Sequence, residues 1–232
     1  MVEPERTKTG VPGLDEILDG GIPRKNLVVI SGDPGSGKTG LCLEFLYFGA
    51  IKFNEPGVYI SLEESEEEII SFAELFGWDI RALIKKGMIS IVTVELYDFD
   101  KLKNTVEDEI SRLHARRLVI DPGVVFRLYF DRELDARKRI LSLGRMLKRI
   151  GCTTIITNEI SLDKVTSLFG LEEYVADGVL LLYHTKLEDR FIRSIGVLKM
   201  RGTKISEKLH PVSITKDGIK ILANQELFEE VK

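Results

Sequence analysis

The chain has 232 residues, 44 % hydrophobic and 30 % charged, with 33 Lys and Arg against 37 Asp and Glu for a formal charge of −4. This length and balance suit a globular protein with one sizeable core and exclude a disordered or fibrous chain. The mild negative charge argues against a surface that holds nucleic acid by bulk electrostatics.

No apolar run reaches the roughly 18 residues of a membrane span, and the opening MVEPERTKTG lacks the apolar segment of a secretory leader. A cytoplasmic protein without a membrane partner is expected. Gln225 is the only glutamine while Glu, Lys and Arg abound, a bias typical of hyperthermophile proteins.

In chain order, the apolar run Leu27-Val28-Val29-Ile30 predicts a buried strand and residues 38–52 a helix. Between them lies GDPGSGKT, a complete G-x-x-x-x-G-K-[ST] loop. A turn over 54–57 leads to a second strand at 58–62. Ser65 then opens a helix with Glu68 three positions on, the pattern of a capping box. Gly77-Trp78-Asp79 breaks that helix, a short amphipathic helix runs to Gly87, and residues 88–94 alternate as a strand.

Residues 102–115 have helical spacing. Leu118-Val119-Ile120 is a short buried strand ending in Asp121-Pro122-Gly123. A helix over 133–150 and a strand over 153–157 follow. The last third changes character, with strands at 179–183, 191–200, 212–215 and 219–222 joined by short links. Alternating β and α elements predict a mostly parallel sheet with helices on both faces, extended along one edge by the trailing antiparallel strands. One domain over residues 1–232 is expected. Cys42 and Cys152 sit in apolar contexts without CxxC spacing, as reduced core residues do.

The loop carries the chemistry. Gly32, Gly35 and Gly37 permit close approach and left-handed backbone, and successive N–H groups at a helix N-terminus form a concavity for phosphate. Asp33, Pro34, Ser36 and Gly40 complete the lining. Lys38 can reach the β- and γ-phosphates and Thr39 can ligate Mg²⁺, so ATP with Mg²⁺ is the expected ligand. Asp121, an acid at the C-terminal end of a buried strand, is the expected second Mg²⁺ carboxylate, acting through water. It also begins a good turn sequence.

Glu63 and Glu64 end the second strand in the same way. One can polarise water, or both can belong to the acidic run EESEEE at a helix N-terminus. Asn158 and Glu159 end the 153–157 strand where the γ-phosphate could be sensed. Lys199 and Arg201, two apart on a strand, are either a solvated edge or a cationic pair for phosphate. The basic helix face with Arg137, Lys138, Arg139, Arg145, Lys148 and Arg149 is read as solvated. His114, His184 and His210 have no metal-ligand spacing.

The order of these motifs resembles the RecA superfamily and, within it, the KaiC-like ATPases. The resemblance rests on TGVPGLDEILDGGIPRKNLVVISGDPGSGKT, VYISLEES with FGWDI, RLVIDP, EEYVADGVLLL, VLKMRGTKIS and HPVSIT. It implies that Glu63 and Glu64 are the catalytic carboxylates of an ATPase. It also implies that Lys199 and Arg201 reach the nucleotide of an adjacent subunit in a homo-oligomer, a hexameric ring, that works with a further protein partner.

Asn158 and Glu159 then match a γ-phosphate sensor before a mobile loop at about 161–170. Three departures stand out. There is one such domain where the cyanobacterial clock protein of that family has two in tandem. Glu173-Tyr174 occupies the place of a Ser-Thr phosphoacceptor pair, which disfavours an autokinase. Pro122 follows Asp121 where relatives have Ser. Two other readings are a RadA- or RadB-like accessory that binds DNA through the loops after Asp121 and after Glu159, and a nucleotide-dependent binding module without turnover. Arg127 and Arg132 favour the accessory, and a short 161–170 loop with Lys164 as its one cation opposes it.

Overall fold

The computed structural model describes residues 4–94, 99–122, 133–159, 175–225 and 227. Nine strands form one sheet: β3 (Leu27–Gly32), β4 (Gly57–Ser61), β5 (Ile89–Thr93), β6 (Arg117–Asp121), β7 (Thr153–Glu159), β8 (Gly178–Leu187), β9 (Arg190–Met200), β10 (His210–Thr215) and β11 (Gly218–Ile221). Their spatial order is β11-β10-β9-β8-β3-β7-β6-β4-β5. The strands from β8 to β5 are parallel. The strands β9, β10 and β11 run antiparallel along one edge, so the expected edge extension is present. A small N-terminal pair, β1 (Arg6–Thr7) and β2 (Ile22–Pro23), brackets the short helix α1 (Leu14–Ile17).

Helices α2 (Lys38–Phe53), α3 (Glu66–Glu74) and α4 (Ile80–Lys85) pack on one face of the sheet, and α5 (Phe99–Leu113) and α6 (Glu133–Ile150) on the other. Period-2 alternation divides each buried strand between the two cores. Val28 and Ile30 join Leu41, Phe45 and Leu46 of α2, whereas Val29 joins Leu143 and Leu147 of α6. The Ser65–Glu68 capping box starts α3, with Glu68 Oε2 accepting from the Ser65 N–H at 2.8 Å. Asp79 caps α4 by accepting from Ala82 N–H at 3.0 Å. No helix among the described residues is long and apolar enough to cross a membrane.

Register fixes what each strand delivers at the edge where the parallel strands end. Gly32 pairs with Glu159, and Ser61 with Asp121. Four neighbouring strands therefore end side by side, in the order phosphate loop, Glu159, Asp121 and the Glu63-Glu64 turn. At the opposite edge Arg117, fully buried, donates to Glu55 Oε2, Phe45 O and Lys8 O at 2.7–2.8 Å. Its Cδ and guanidinium occupy the space a side chain at position 49 would need, which explains Gly49 inside α2.

Candidate functional site

A cavity of about 490 Å³ opens where the parallel strands end, lined by the phosphate loop, Ser61, Glu63, Glu64, Asp121, Pro122 and Glu159. Phe72, Phe76 and Ile214 close one side of it with apolar surface. All the predicted carboxylates of the loop ends thus face one space. Two loop glycines are structurally required: Gly37 has φ +106°, and a Cβ on Gly32 would lie 2.2 Å from the Leu182 carbonyl oxygen.

The Lys38 ammonium donates to the carbonyl oxygens of Gly32 at 2.9 Å and Asp33 at 3.0 Å. Burial lowers its pKa, opposed by the charges of Glu159, Asp121 and Asp33. The Ser36 hydroxyl is buried in the loop with no hydrogen-bond partner among the described residues. Asp33 behaves differently from its neighbours: its carboxylate accepts from the His184 N–H of β8 at 3.1 Å and so holds the loop. Arg193 of β9 adds a second tether by donating to Gly35 O at 2.9 Å.

Thr39 and Asp121, expected as the metal pair, are together: the Thr39 hydroxyl donates to Asp121 Oδ2 at 3.1 Å. Tyr59 and Thr157 also donate hydroxyl hydrogen bonds to this carboxylate. Thr157 is the neighbour of Asp121 across the β6–β7 register, and Tyr59 points into the same site from β4. The peptide bond from Asp121 to Pro122 is cis.

A hydroxyl beside an acceptor-only carboxylate at the mouth of an anion loop suits a hard cation that keeps most of its water. No cage of three or more His, Cys, Asp or Glu occurs among the described residues. The buried Ser36 hydroxyl, the loop and this pair fit a magnesium-bound polyphosphate.

Glu63 and Glu64 are exposed at the rim. The Glu64 main chain is fixed, its carbonyl accepting from Ser61 at 2.6 Å and Thr93 at 3.1 Å. Both carboxyls have raised pKa values. Partial desolvation by the cavity wall is the main cause for each, followed for Glu63 by Glu159 and Asp121, and for Glu64 by Asp121, Glu68 and Glu63. Asn158 is buried, whereas Glu159 is exposed at the cavity wall.

Lys199 and Arg201 lie elsewhere. Lys199 pairs with Val179 and donates to Ala176 O at 2.8 Å, and Arg201 bridges Asp177 at 3.3 Å. Asp177 also binds Lys148 at 2.6 Å and the Leu27 N–H at 3.1 Å, at the edge where β3 begins. Five residue steps of β3 separate that edge from the loop, about 16 Å at strand spacing. The Lys199–Arg201 pair does not line its own chain's cavity.

Lys148, expected on a solvated face, is 44 % exposed yet holds Asp177. Gly123, Arg127, Arg132, residues 161–170 with Lys164, and Glu173-Tyr174 lie outside the described residues.

Several contributors carried no sequence signal. Tyr59 and Thr157 read as ordinary interior strand positions, and Phe72 and Phe76 as the apolar stripe of a helix. Arg193 and His184 sit on β9 and β8, which come beside the loop only through tertiary topology.

The family model described as the KaiC ATPase matches residues 7–226. UPF0273 protein MJ1359 of Methanocaldococcus jannaschii is 37 % identical, with 93 % of this chain and 95 % of that protein covered. A UPF0273 protein of Sulfurisphaera tokodaii is 38 % identical over 93 % of this chain and 82 % of its own length. The circadian clock oscillator protein KaiC of Acaryochloris marina is 33 % identical over 95 % of this chain, which spans only 44 % of the clock protein.

Among solved structures, the KaiC-like protein PH0186 from the hyperthermophilic archaeon Pyrococcus horikoshii superposes with a TM-score of 0.86 at 34 % identity, covering 94 % of this chain and 99 % of that one. The chain belongs to the KaiC-like ATPases of the RecA superfamily.

Proposed function

We propose that the protein is a Mg²⁺-dependent ATPase that binds ATP between subunits of a ring and uses hydrolysis to switch conformation or partner. The observation that carries this reading is the Thr39–Asp121 pair, joined at 3.1 Å beside the buried Lys38 and facing Glu63 across one cavity. In this role the loop N–H groups and Lys38 bind the β- and γ-phosphates, and the Ser36 hydroxyl gains a phosphate acceptor. Thr39 directly, and Asp121 through water, would hold the magnesium ion, which when bound neutralises charge on the β- and γ-oxygens.

Glu63 accepts the proton of the water that attacks the γ-phosphorus, while the bond to the β–γ bridging oxygen breaks and ADP leaves. Its raised pKa moves it toward the range where a carboxylate is an effective base. Asn158 and Glu159, at the end of β7, are suited to sense the γ-phosphate. Phe72, Phe76 and Ile214 offer the base an apolar slot.

The ring reading is supported by charge. The cavity edge is acidic, whereas the opposite edge presents Lys199, Arg201 and Lys148, too far from their own loop to serve it. Head-to-tail packing would set one edge against the other, and a heterologous contact of that kind forms a ring when its rotation closes.

Light scattering with and without ATP–Mg²⁺ tests the assembly together with the site. A shift to a discrete oligomer with nucleotide, or a preformed ring, is expected. A monomer that hydrolyses ATP at full rate contradicts the shared site.

A further inference from the structure

Glu44 is a carboxyl that the reading above leaves unused. It sits six residues after Lys38 on α2, is 1 % exposed, and belongs to a helix whose first two turns are buried at every position except Thr39, which lines the cavity. Its Oε2 accepts from the Ile219 N–H of β11 at 2.7 Å. The contact is close-fitting. A Cβ on Gly218, whose φ is +122°, would meet Glu44 Oε2 at 2.9 Å and the Trp78 ring at 3.0 Å.

From Ile219 the connection runs to the nucleotide cavity. Ile219 and Ile214 are cross-strand partners in the β10–β11 hairpin. Their terminal methyls cover the loop glycines, with Ile214 Cδ1 3.1 Å from the position a Gly37 Cβ would occupy and Ile219 Cδ1 3.1 Å from that of Gly40. Ile214 lines the cavity itself. Trp78 stacks on Phe76, another lining residue, with ring centroids 4.7 Å apart. Pairing with β9 and the Ile221 N–H to Pro12 O hydrogen bond anchor the outer parts of the hairpin, and the Glu44 hydrogen bond is the side-chain contact that fixes it at Ile219, beside the cavity.

We infer that Glu44 is a positioning residue that seats the C-terminal hairpin as the wall of the nucleotide cavity, holding it while protonated and loosening it when ionised. The inference rests on the nucleotide reading of that cavity. Charge around Glu44 gives little to offset its ionisation. Lys52, on the same helix, is the charged group that acts on it and favours the anion. The hairpin faces it with the Gly218 and Ile219 backbone, and the link before α4 with the Trp78 ring, while Asp217 and Asp79 beside them are exposed.

Burial outweighs both Lys52 and the Ile219 hydrogen bond and raises the carboxyl to about 7. The ionised side chain is drawn toward water, and the hairpin is its way out.

The test compares the parent, Glu44→Gln and Glu44→Ala at pH 6 and pH 8.5. Hydrogen exchange of residues 210–221, corrected for intrinsic rates, reads hairpin seating without any ligand. Calorimetry with ATP–Mg²⁺ reads the cavity, and the nucleotide's own titration is common to all three proteins.

In the parent, hairpin protection relative to β3 should fall roughly tenfold from pH 6 to 8.5, with ATP affinity falling in step. Glu44→Gln, which keeps the acceptor and cannot ionise, should show neither change. Glu44→Ala should be poorly protected at both pH values. Identical pH profiles in the parent and Glu44→Gln overturn the inference. Hairpin protection that changes while ATP affinity stays constant overturns the link to the cavity. A parent that binds no ATP at either pH contradicts the nucleotide reading instead, and hydrogen exchange still decides the role of Glu44 in the hairpin.

Discussion

The two edges of the parallel sheet solve opposite electrostatic problems. Where the strands end, a single buried ammonium, Lys38, is surrounded by Asp33, Asp121 and Glu159 with Glu63 and Glu64 at the rim. Where they begin, a buried carboxylate, Asp177 with its side chain 4 % exposed, is held by Lys148 and Arg201, which are 44 % and 64 % exposed. The first edge has an excess of acid that a magnesium-bound phosphate can use. The second sets two exposed cations on one buried carboxylate, so Arg201 can turn to a neighbour while Lys148 keeps Asp177 paired. On the proposed reading, the two edges are complementary halves of one site.

Breaking the acidic edge should have the largest effect. Lys38→Ala is expected to cost about 2–5 kcal/mol of ATP binding, because it removes a hydrogen-bonded charge from an enclosed site. Calorimetry that finds equal affinity in mutant and parent refutes the loop assignment. Glu63→Gln should leave binding intact and reduce turnover roughly 10²-fold or more. Steady-state ATPase assays of both single mutants decide the pair, and an unchanged Glu63→Gln beside a dead Glu64→Gln would reverse the assignment.

Glu44→Gln sharpens the comparison through stability. A carboxyl raised from 4.5 to about 7 on folding stabilises most below the unfolded value, and that stability is lost as pH rises through the folded one. Denaturant melts should show the parent losing up to about 3 kcal/mol relative to Glu44→Gln between pH 4.5 and 7.5. A constant gap across that window contradicts the buried, protonated state. The smallest effect is expected from Phe72→Ala, about 1 kcal/mol in ATP affinity. Binding of inorganic tripolyphosphate should not change. Equal losses for both ligands would remove Phe72 from the base slot.

These differences also explain what the sequence could and could not convey. The phosphate loop was legible because its glycines and lysine are contiguous, and their spacing has one stereochemical use. Asp121 was legible as an acid closing an apolar strand. The hydroxyls of Tyr59 and Thr157 were not, since they converge on Asp121 only through the β4-β6-β7 pairing. Glu44 gave no signal because α2 has no polar face at that turn against which a buried acid stands out. Lys199 and Arg201 were visible as cations two apart, yet their place at the far edge follows from the β8–β9 register.

The central claim is that one chain supplies the phosphate loop and its neighbour supplies Lys199 and Arg201. Lys38→Ala and Arg201→Ala subunits, each inactive alone, should recover part of the ATPase activity when mixed under conditions where subunit exchange is demonstrated. An intact Arg201 can then meet an intact loop across an interface, and an arginine supplied in this way is worth about 10³–10⁵ in rate in related chemistry. Mixed oligomers of proven composition that remain inactive would contradict the shared site.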